Sequence, residues 1–220
     1  MSLHIPLVHV CVPQVIAPSD NERVHSNQIA CEIASLGPAE VSLTHPLRIT
    51  GSSGIGKTSA LRILAGLWPQ PRGVSVNSLH REPGTRAAVP EVDMPSLRPR
   101  VMFVPNTPRL LGGATLRQNL AYPALSLHAA SGDCADALHA CELVGFIPAL
   151  DEARADWAST LSGGEAQRIM AARVWLHRPA FVFLDEGLSA VDAETRFRVL
   201  RALVTRGIAY VIVSHDAPVF

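Results

Sequence analysis

Residues 51–58, Gly51-Ser52-Ser53-Gly54-Ile55-Gly56-Lys57-Thr58, carry the strongest chemical signal in the chain. They fit the pattern G-x-x-x-x-G-K-[ST], a loop suited to holding phosphate. Glycines in a tight loop let successive backbone N–H groups converge on phosphate oxygens, an approach that side chains would block. The helix that follows adds the partial positive charge of its N-terminus. Lys57 is placed to reach terminal phosphates as a point charge, and the Thr58 hydroxyl to ligate Mg²⁺. The bland alternative is a glycine-rich turn with no ligand. The flanking sequence argues against it, because the loop lies between an apolar strand and an amphipathic helix, the context the pattern requires.

The second signal is Phe181-Val182-Phe183-Leu184-Asp185-Glu186. An apolar run ending in an acid fits a buried central strand whose last residue aims a carboxylate at a nucleotide's metal ion, the role expected of Asp185. Glu186, one residue on, is suited to polarise an attacking water, since a carboxylate beside metal and phosphate can accept a proton in the transition state. An acid at a strand end is commonplace by itself, and usually means capping or solvation. The phosphate loop upstream reverses that reading.

The third signal is Leu161-Ser162-Gly163-Gly164-Glu165-Ala166-Gln167-Arg168. Physically it is a Ser-Gly-Gly turn that caps a helix and offers backbone donors to an anion. A cap alone would explain a lone S-G-G-E, but not several motifs in register. The run resembles the signature sequence L-S-G-G-E/Q-x-Q-R of ABC transporter ATP-binding cassettes, and it precedes the apolar strand at that family's usual distance. Ser189-Ala190-Val191-Asp192 resembles the family's loop that contacts the opposite cassette. His215, in Val213-Ser214-His215-Asp216, resembles its switch histidine, a sensor of the γ-phosphate. The resemblance runs from Arg48 to the end of the chain.

The resemblance implies an α/β fold: a P-loop NTPase with a RecA-like parallel sheet core, a small antiparallel β lobe and an α-helical signature lobe. It implies one nucleotide-binding domain over residues 1–220, with the signature lobe near 115–165 and no transmembrane domain in the chain. ATP and Mg²⁺ are the implied cofactors. Gly51, Ser52, Ser53, Gly54, Ile55, Gly56, Lys57 and Thr58 would hold the chain's own nucleotide. Ser162, Gly163, Gly164, Glu165 and Asp192 would face that of a second cassette. Thr58, Asp185 and Asn106 would serve the metal, and Glu186 and His215 would carry hydrolysis. The implied partners are a second ABC cassette and a transmembrane permease domain, which would hold the chain peripherally at the cytosolic face of a membrane, a peroxisomal or other organelle membrane being one option.

Within the superfamily, Leu47 to Gly51, Arg62 to Pro69, Gly113 to Pro123 and Asp156-Trp157 resemble subfamily D, half-transporters for fatty acyl-CoA or cobalamin, and related bacterial permease-ATPase fusions. The chain also departs from the family. Asn106 stands where a glutamine is expected, which keeps the amide but shortens its reach by one methylene. An adenine-stacking aromatic is expected near the first strand, yet residues 1–67 contain no Phe, Trp or Tyr. Gly187-Leu188 replaces the usual Ala- or Pro-Thr after the catalytic acid. A degenerate cassette acting as a regulatory or scaffold partner is the alternative to a transport motor. A chromosome-maintenance ATPase would need a long coiled-coil insertion, for which there is no room.

The elements that must position these residues follow from hydrophobic period. Strands are expected at Leu3 to Val12, Pro46 to Thr50, Val101 to Val104, Phe181 to Leu184 and Ile208 to Val213, with another at Val74 to Val76. Pro13 to Gln28 reads as a polar loop, and Gln28 to Leu36 as a strand or a short helix. Helices are expected at Thr58 to Trp68, Glu165 to His177 and Ala193 to Thr205. A helical region from Thr115 to Phe146 has Leu116, Leu120, Ala137, Leu138, Cys141 and Val144 as candidates for burial. Trp68 and Trp157 read as core anchors. Helices alternating with continuously apolar strands imply a parallel sheet covered on both faces.

Composition limits the alternatives. The chain has 220 residues, 48% hydrophobic and 17% charged, enough for one substantial core and too apolar for wholesale disorder. Its 19 basic and 19 acidic side chains cancel, so it has no electrostatic footprint for nucleic acid. The four cysteines, Cys11, Cys31, Cys134 and Cys141, form no C-x-x-C pair and read as buried thiols rather than metal ligands. No apolar stretch approaches the roughly 18 residues of a membrane span, and the start lacks a secretory pattern, so a cytosolic location is expected.

Overall fold

The computed structural model describes residues 2–5, 8–14, 30–36, 39–41, 43–44, 46–68, 77–79, 100–123, 131–157 and 159–214. In chain order the strands are β1 (Ser2–Ile5), β2 (Val8–Gln14), β3 (Ala30–Leu36), β4 (Ala39–Val41), β5 (Leu47–Ile49), β6 (Asn77–Leu79), β7 (Val101–Val104), β8 (Phe181–Asp185) and β9 (Ala209–Val213). The helices are α1 (Lys57–Leu64), α2 (Leu116–Ala121), α3 (Ser131–Ala140), α4 (Gly163–His177) and α5 (Ala193–Thr205), with a 3₁₀ segment at Val144–Ala149.

A parallel sheet of order β5-β9-β8-β7 forms the centre. All five residues of β8 and all five of β9 are buried, which explains why these strands read as unbroken apolar runs. Successive side chains on a strand point to opposite faces. Phe181, Phe183, Val211, Val213 and Ile49 accordingly pack with Ala60, Leu61, Ile63 and Leu64 of α1. Val182, Leu184, Tyr210, Ile212 and Val104 turn the other way, into a core shared with Ile169 and Val174 of α4 and Val199 and Leu203 of α5. The sheet is thus covered on both sides, as the P-loop NTPase fold requires.

A small antiparallel sheet of order β4-β1-β6 and a separate β2-β3 hairpin complete the described strands. The single strand expected over Leu3 to Val12 is therefore two, in different sheets, with Pro6 between them in sequence. Proline has no N–H to give a ladder. Pro13 nevertheless belongs to β2, paired with Cys31, so the expected polar loop starts later. In a two-stranded sheet each strand has an unpaired edge, where a proline is tolerated. Ala30–Leu36 resolves as strand, not helix. The expected strand at Val74 to Val76 lies outside the described residues.

Helix α1 stops at Leu64, four residues before the expected end, and Gly66 follows with φ 69°. The Trp68 side chain is thereby carried out of the core. It is 44% exposed, with the Arg62 guanidinium 5.3 Å from its ring, and it is not the core anchor its spacing implied. Trp157 is that anchor: it is 1% exposed, and its Nε1 donates to the Ala114 carbonyl at 2.8 Å. The helical region from Thr115 to Phe146 is divided into α2, α3 and the 3₁₀ segment. Val144 opens the 3₁₀ segment and is 52% exposed, because the tighter helix changes the period that had placed it inside. Leu116, Leu120, Ala137, Leu138 and Cys141 are buried as expected. No helix among the described residues is long and apolar enough to cross a membrane.

Candidate functional site

The register of the parallel sheet brings the chemistry-bearing residues to its carboxyl edge. Ile49, the last residue of β5, aligns with Val213, and Val213 aligns with Asp185 at the end of β8. Ligands in open α/β sheets bind outside this edge. The phosphate loop leaves β5 there and enters α1, with Gly54 at φ 81° and Gly56 at φ 95°, left-handed conformations suited to glycine. Gly51 through Ile55 are exposed, whereas Lys57 is buried. Its Nζ folds back to donate to the carbonyls of Gly51 at 2.9 Å and Ser52 at 2.8 Å.

Thr58 Oγ1 donates to Asp185 Oδ1 at 2.8 Å, across 127 residues of sequence. Asp185 is 5% exposed, so strand β8 holds its carboxylate rigidly at the start of α1. A hydroxyl and a carboxylate that meet at the sheet edge are hard oxygen donors, the set that suits Mg²⁺ shared with a phosphate. The group therefore fits the residues present. Among the described residues no cluster of three or more His, Cys, Asp or Glu could hold a metal without such a phosphate.

Glu186 follows Asp185 in the left-handed region, at φ 53°. For a residue other than glycine this costs roughly 1–3 kcal/mol and persists only where the surroundings enforce it. Its N–H donates to the Val213 carbonyl at 3.2 Å. The next residue makes the turn possible, because a Cβ on Gly187 would stand 2.8 Å from Val104 Cγ1. The glycine that departs from the family pattern thus lets the chain pass against β7. Asn106 Nδ2 donates to Glu186 Oε2 at 3.3 Å, an interaction the sequence did not foretell. This contact uses none of the lone pairs on Oδ1, which keeps the amide chemically capable of serving a metal.

The signature turn lies at the start of α4. The Ser162 hydroxyl accepts from the Glu165 N–H at 3.3 Å, while Glu165 Oε2 accepts from the N–H and hydroxyl of Ser162, both at 2.8 Å. This is a capping box. The Ser162 N–H is the main reason the Glu165 carboxyl is held below the ordinary carboxylate range. Ser162 and Gly163 are exposed, and no hydrogen bond among the described residues joins them to the phosphate loop. Asp192 also caps a helix: its Oδ1 accepts from the Thr195 N–H at 2.9 Å at the start of α5. His215 lies outside the described residues; Ser214, just before it, donates its N–H to the Ile49 carbonyl at 3.3 Å.

One residue was present in the signature motif but had no role assigned from sequence. Gln167 is 4% exposed, and its side-chain amide contacts residues on both the Asn106 loop and the loop that follows Glu186. A glutamine two positions after the motif's acid was the only signal, and nothing in the spacing showed what it would touch. Gly164 has a similarly firm structural reason, since a Cβ there would stand 2.9 Å from the Ala190 carbonyl oxygen. Gly164→Ala is expected to lower stability by about 1–3 kcal/mol. Denaturant unfolding beside the wild type measures this, and equal stability would mean that the turn and the loop are free to separate.

Comparison with known proteins identifies the family. The family described as ABC transporter matches residues 40–189. An uncharacterized ABC transporter ATP-binding protein of Synechocystis is 32% identical over 175 residues, covering 77% of this chain and 23% of that protein. The lysosomal cobalamin transporter ABCD4 of Homo sapiens is 32% identical over 185 residues, covering 80% of this chain and 28% of its own length. The aliphatic sulfonates import ATP-binding protein SsuB of Ralstonia nicotianae is 34% identical over 172 residues, covering 76% and 53%. The chain thus spans about a quarter to a half of these relatives. Among solved structures, an ABC transporter ATP-binding protein from Pyrococcus furiosus superposes with a TM-score of 0.69 at 15% identity, over 100% of this chain and 94% of that one. A bacterial Atm1-family ABC exporter with ATP bound gives 0.68 at 20% identity, over 98% and 34%. Both share the P-loop NTPase fold, and the chain belongs to the ABC transporter family as an ABC-type ATPase cassette.

Proposed function

We propose that this cassette is the motor of a membrane transporter, one nucleotide-binding domain whose helical signature lobe covers residues 115–165. The observation that carries this reading is the meeting of Thr58 and Asp185 at 2.8 Å, with Lys57 and Glu186 as their immediate neighbours in sequence. Backbone N–H groups of residues 51–58 cradle the phosphates of ATP, and Lys57 swings from the loop carbonyls to the terminal phosphates. Thr58 and Asp185, with the amide oxygen of Asn106, hold Mg²⁺, which when bound offsets phosphate charge. Glu186 orients water and accepts its proton, and His215 reads the γ-phosphate from the next loop.

The signature turn is exposed and unconnected to the chain's own phosphate loop, which supports a head-to-tail pair. Ser162, Gly163, Gly164, Glu165 and Asp192 of each cassette then face the nucleotide of the other. ATP closes the pair and hydrolysis releases it, driving a permease domain between access states at the cytosolic face of its membrane. The resemblance of Gly113 to Pro123 to subfamily D points to acyl or lipid-like cargo. An importer subunit that matches at similar identity is named for aliphatic sulfonates.

The test is to incubate the purified chain with ATP, with and without Mg²⁺, following phosphate release and sedimentation together. Turnover that needs Mg²⁺, with a dimer that forms on ATP, is expected. A chain that binds no ATP at millimolar concentration would instead be the degenerate regulatory cassette, the reading that the Asn106 substitution favours.

A further inference from the structure

Resting on the nucleotide reading above, we propose that Gln167 is a positioning residue that links the signature turn of a cassette to Glu186 of the same cassette. It thereby ties the surface offered to one nucleotide to the acid that acts on the other. Gln167 lies on α4 two residues beyond Glu165, and it is buried. Its Oε1 accepts from the Ala190 N–H at 2.8 Å. Its Nε2 faces three acceptors: Ser189 Oγ at 3.2 Å, the Glu186 carbonyl at 3.3 Å and the Asn106 carbonyl at 3.4 Å. Two amide hydrogens are shared among them.

The arrangement closes a ring, because the Asn106 side chain bonds the Glu186 carboxylate while Gln167 holds the backbones of both residues. Gly164, in the first turn of the same helix, rests against the Ala190 carbonyl with no room for a Cβ. A displacement of that turn therefore cannot leave residues 186–190 where they are. Glu186, left-handed at φ 53°, is the member of the ring whose geometry most depends on its neighbours.

Two variants separate the halves of the amide. Gln167→Met removes donor and acceptor, whereas Gln167→Glu keeps an acceptor for Ala190 and removes the amide donor. Both are expected to lower kcat for ATP by roughly 10- to 100-fold, with KM within about threefold, since a small misplacement of a catalytic group has an effect of that order. Amide exchange in the nucleotide-free chain is expected to speed up at Ala190 in Gln167→Met and to stay near wild type in Gln167→Glu. Wild-type kcat in Gln167→Glu, or a rise in KM with kcat unchanged, would overturn the proposal. A wild type inert toward ATP would instead refute the nucleotide reading. The exchange experiment still decides the link in that case, because an unaltered Ala190 rate in Gln167→Met removes it.

Discussion

Replacing Glu186 by glutamine is expected to slow ATP turnover by at least about a hundredfold while nucleotide affinity changes only a few-fold. Glutamine is nearly isosteric, and its amide oxygen can still accept from Asn106 Nδ2, the contact now made at 3.3 Å. The backbone turn at φ 53° and the bond from the residue's N–H to the Val213 carbonyl do not involve the side chain. What disappears is a group able to take a proton from water, so a bound ATP has no route forward. The variant should therefore accumulate as an ATP-bound dimer, visible in the same sedimentation experiment. Turnover at the wild-type rate would show that the base lies elsewhere.

Lys57→Ala should act on binding and chemistry together, lowering kcat/KM for ATP by roughly a thousandfold, as expected for removal of a fixed cation from the place where phosphate charge develops. The nucleotide-free protein also changes. Lys57 now braces its own loop by donating to the carbonyls of Gly51 and Ser52, bonds from a charged donor whose net value is about 1.5–3 kcal/mol. Unfolding and ATP titration on one preparation separate the two effects. A variant that unfolds early but still binds ATP like the wild type would make Lys57 a structural clamp only. Lys57→Arg is no conservative control here, because a planar fork cannot reproduce a point charge inside so tight a loop.

The central sheet was legible because parallel strands buried on both faces leave an unmistakable trace. Phe181 to Leu184 and Ala209 to Val213 contain no charged residue, which marks them as buried strands but does not give their order in the sheet. The phosphate loop was equally plain, since few sequences other than a phosphate cradle place glycines, lysine and threonine in that order. The N-terminal strands were harder. A period of two predicts a strand but not its sheet, and one apolar stretch became two strands that pair with different partners. Trp68 misled because helical spacing was carried past Gly66, where the helix had already ended. The Asn106 contact with Glu186 and the ring around Gln167 were invisible for another reason. They join residues 19 to 80 positions apart through side-chain amides, and neither period nor motif spacing reports which amide meets which carbonyl.

The alternation along β8 has a consequence for how the molecule comes apart. Phe181 and Phe183 belong to one apolar layer and Val182 and Leu184 to the other, so a single backbone is the wall between two interiors. Neither interior can melt while its neighbour stays intact, because losing either layer strips one side of the same strand. The two therefore form one cooperative unit, and a lesion beside α1 is felt beside α5. Asp185 ends that wall, so loss of its contact with Thr58 should coincide with global unfolding, not precede it.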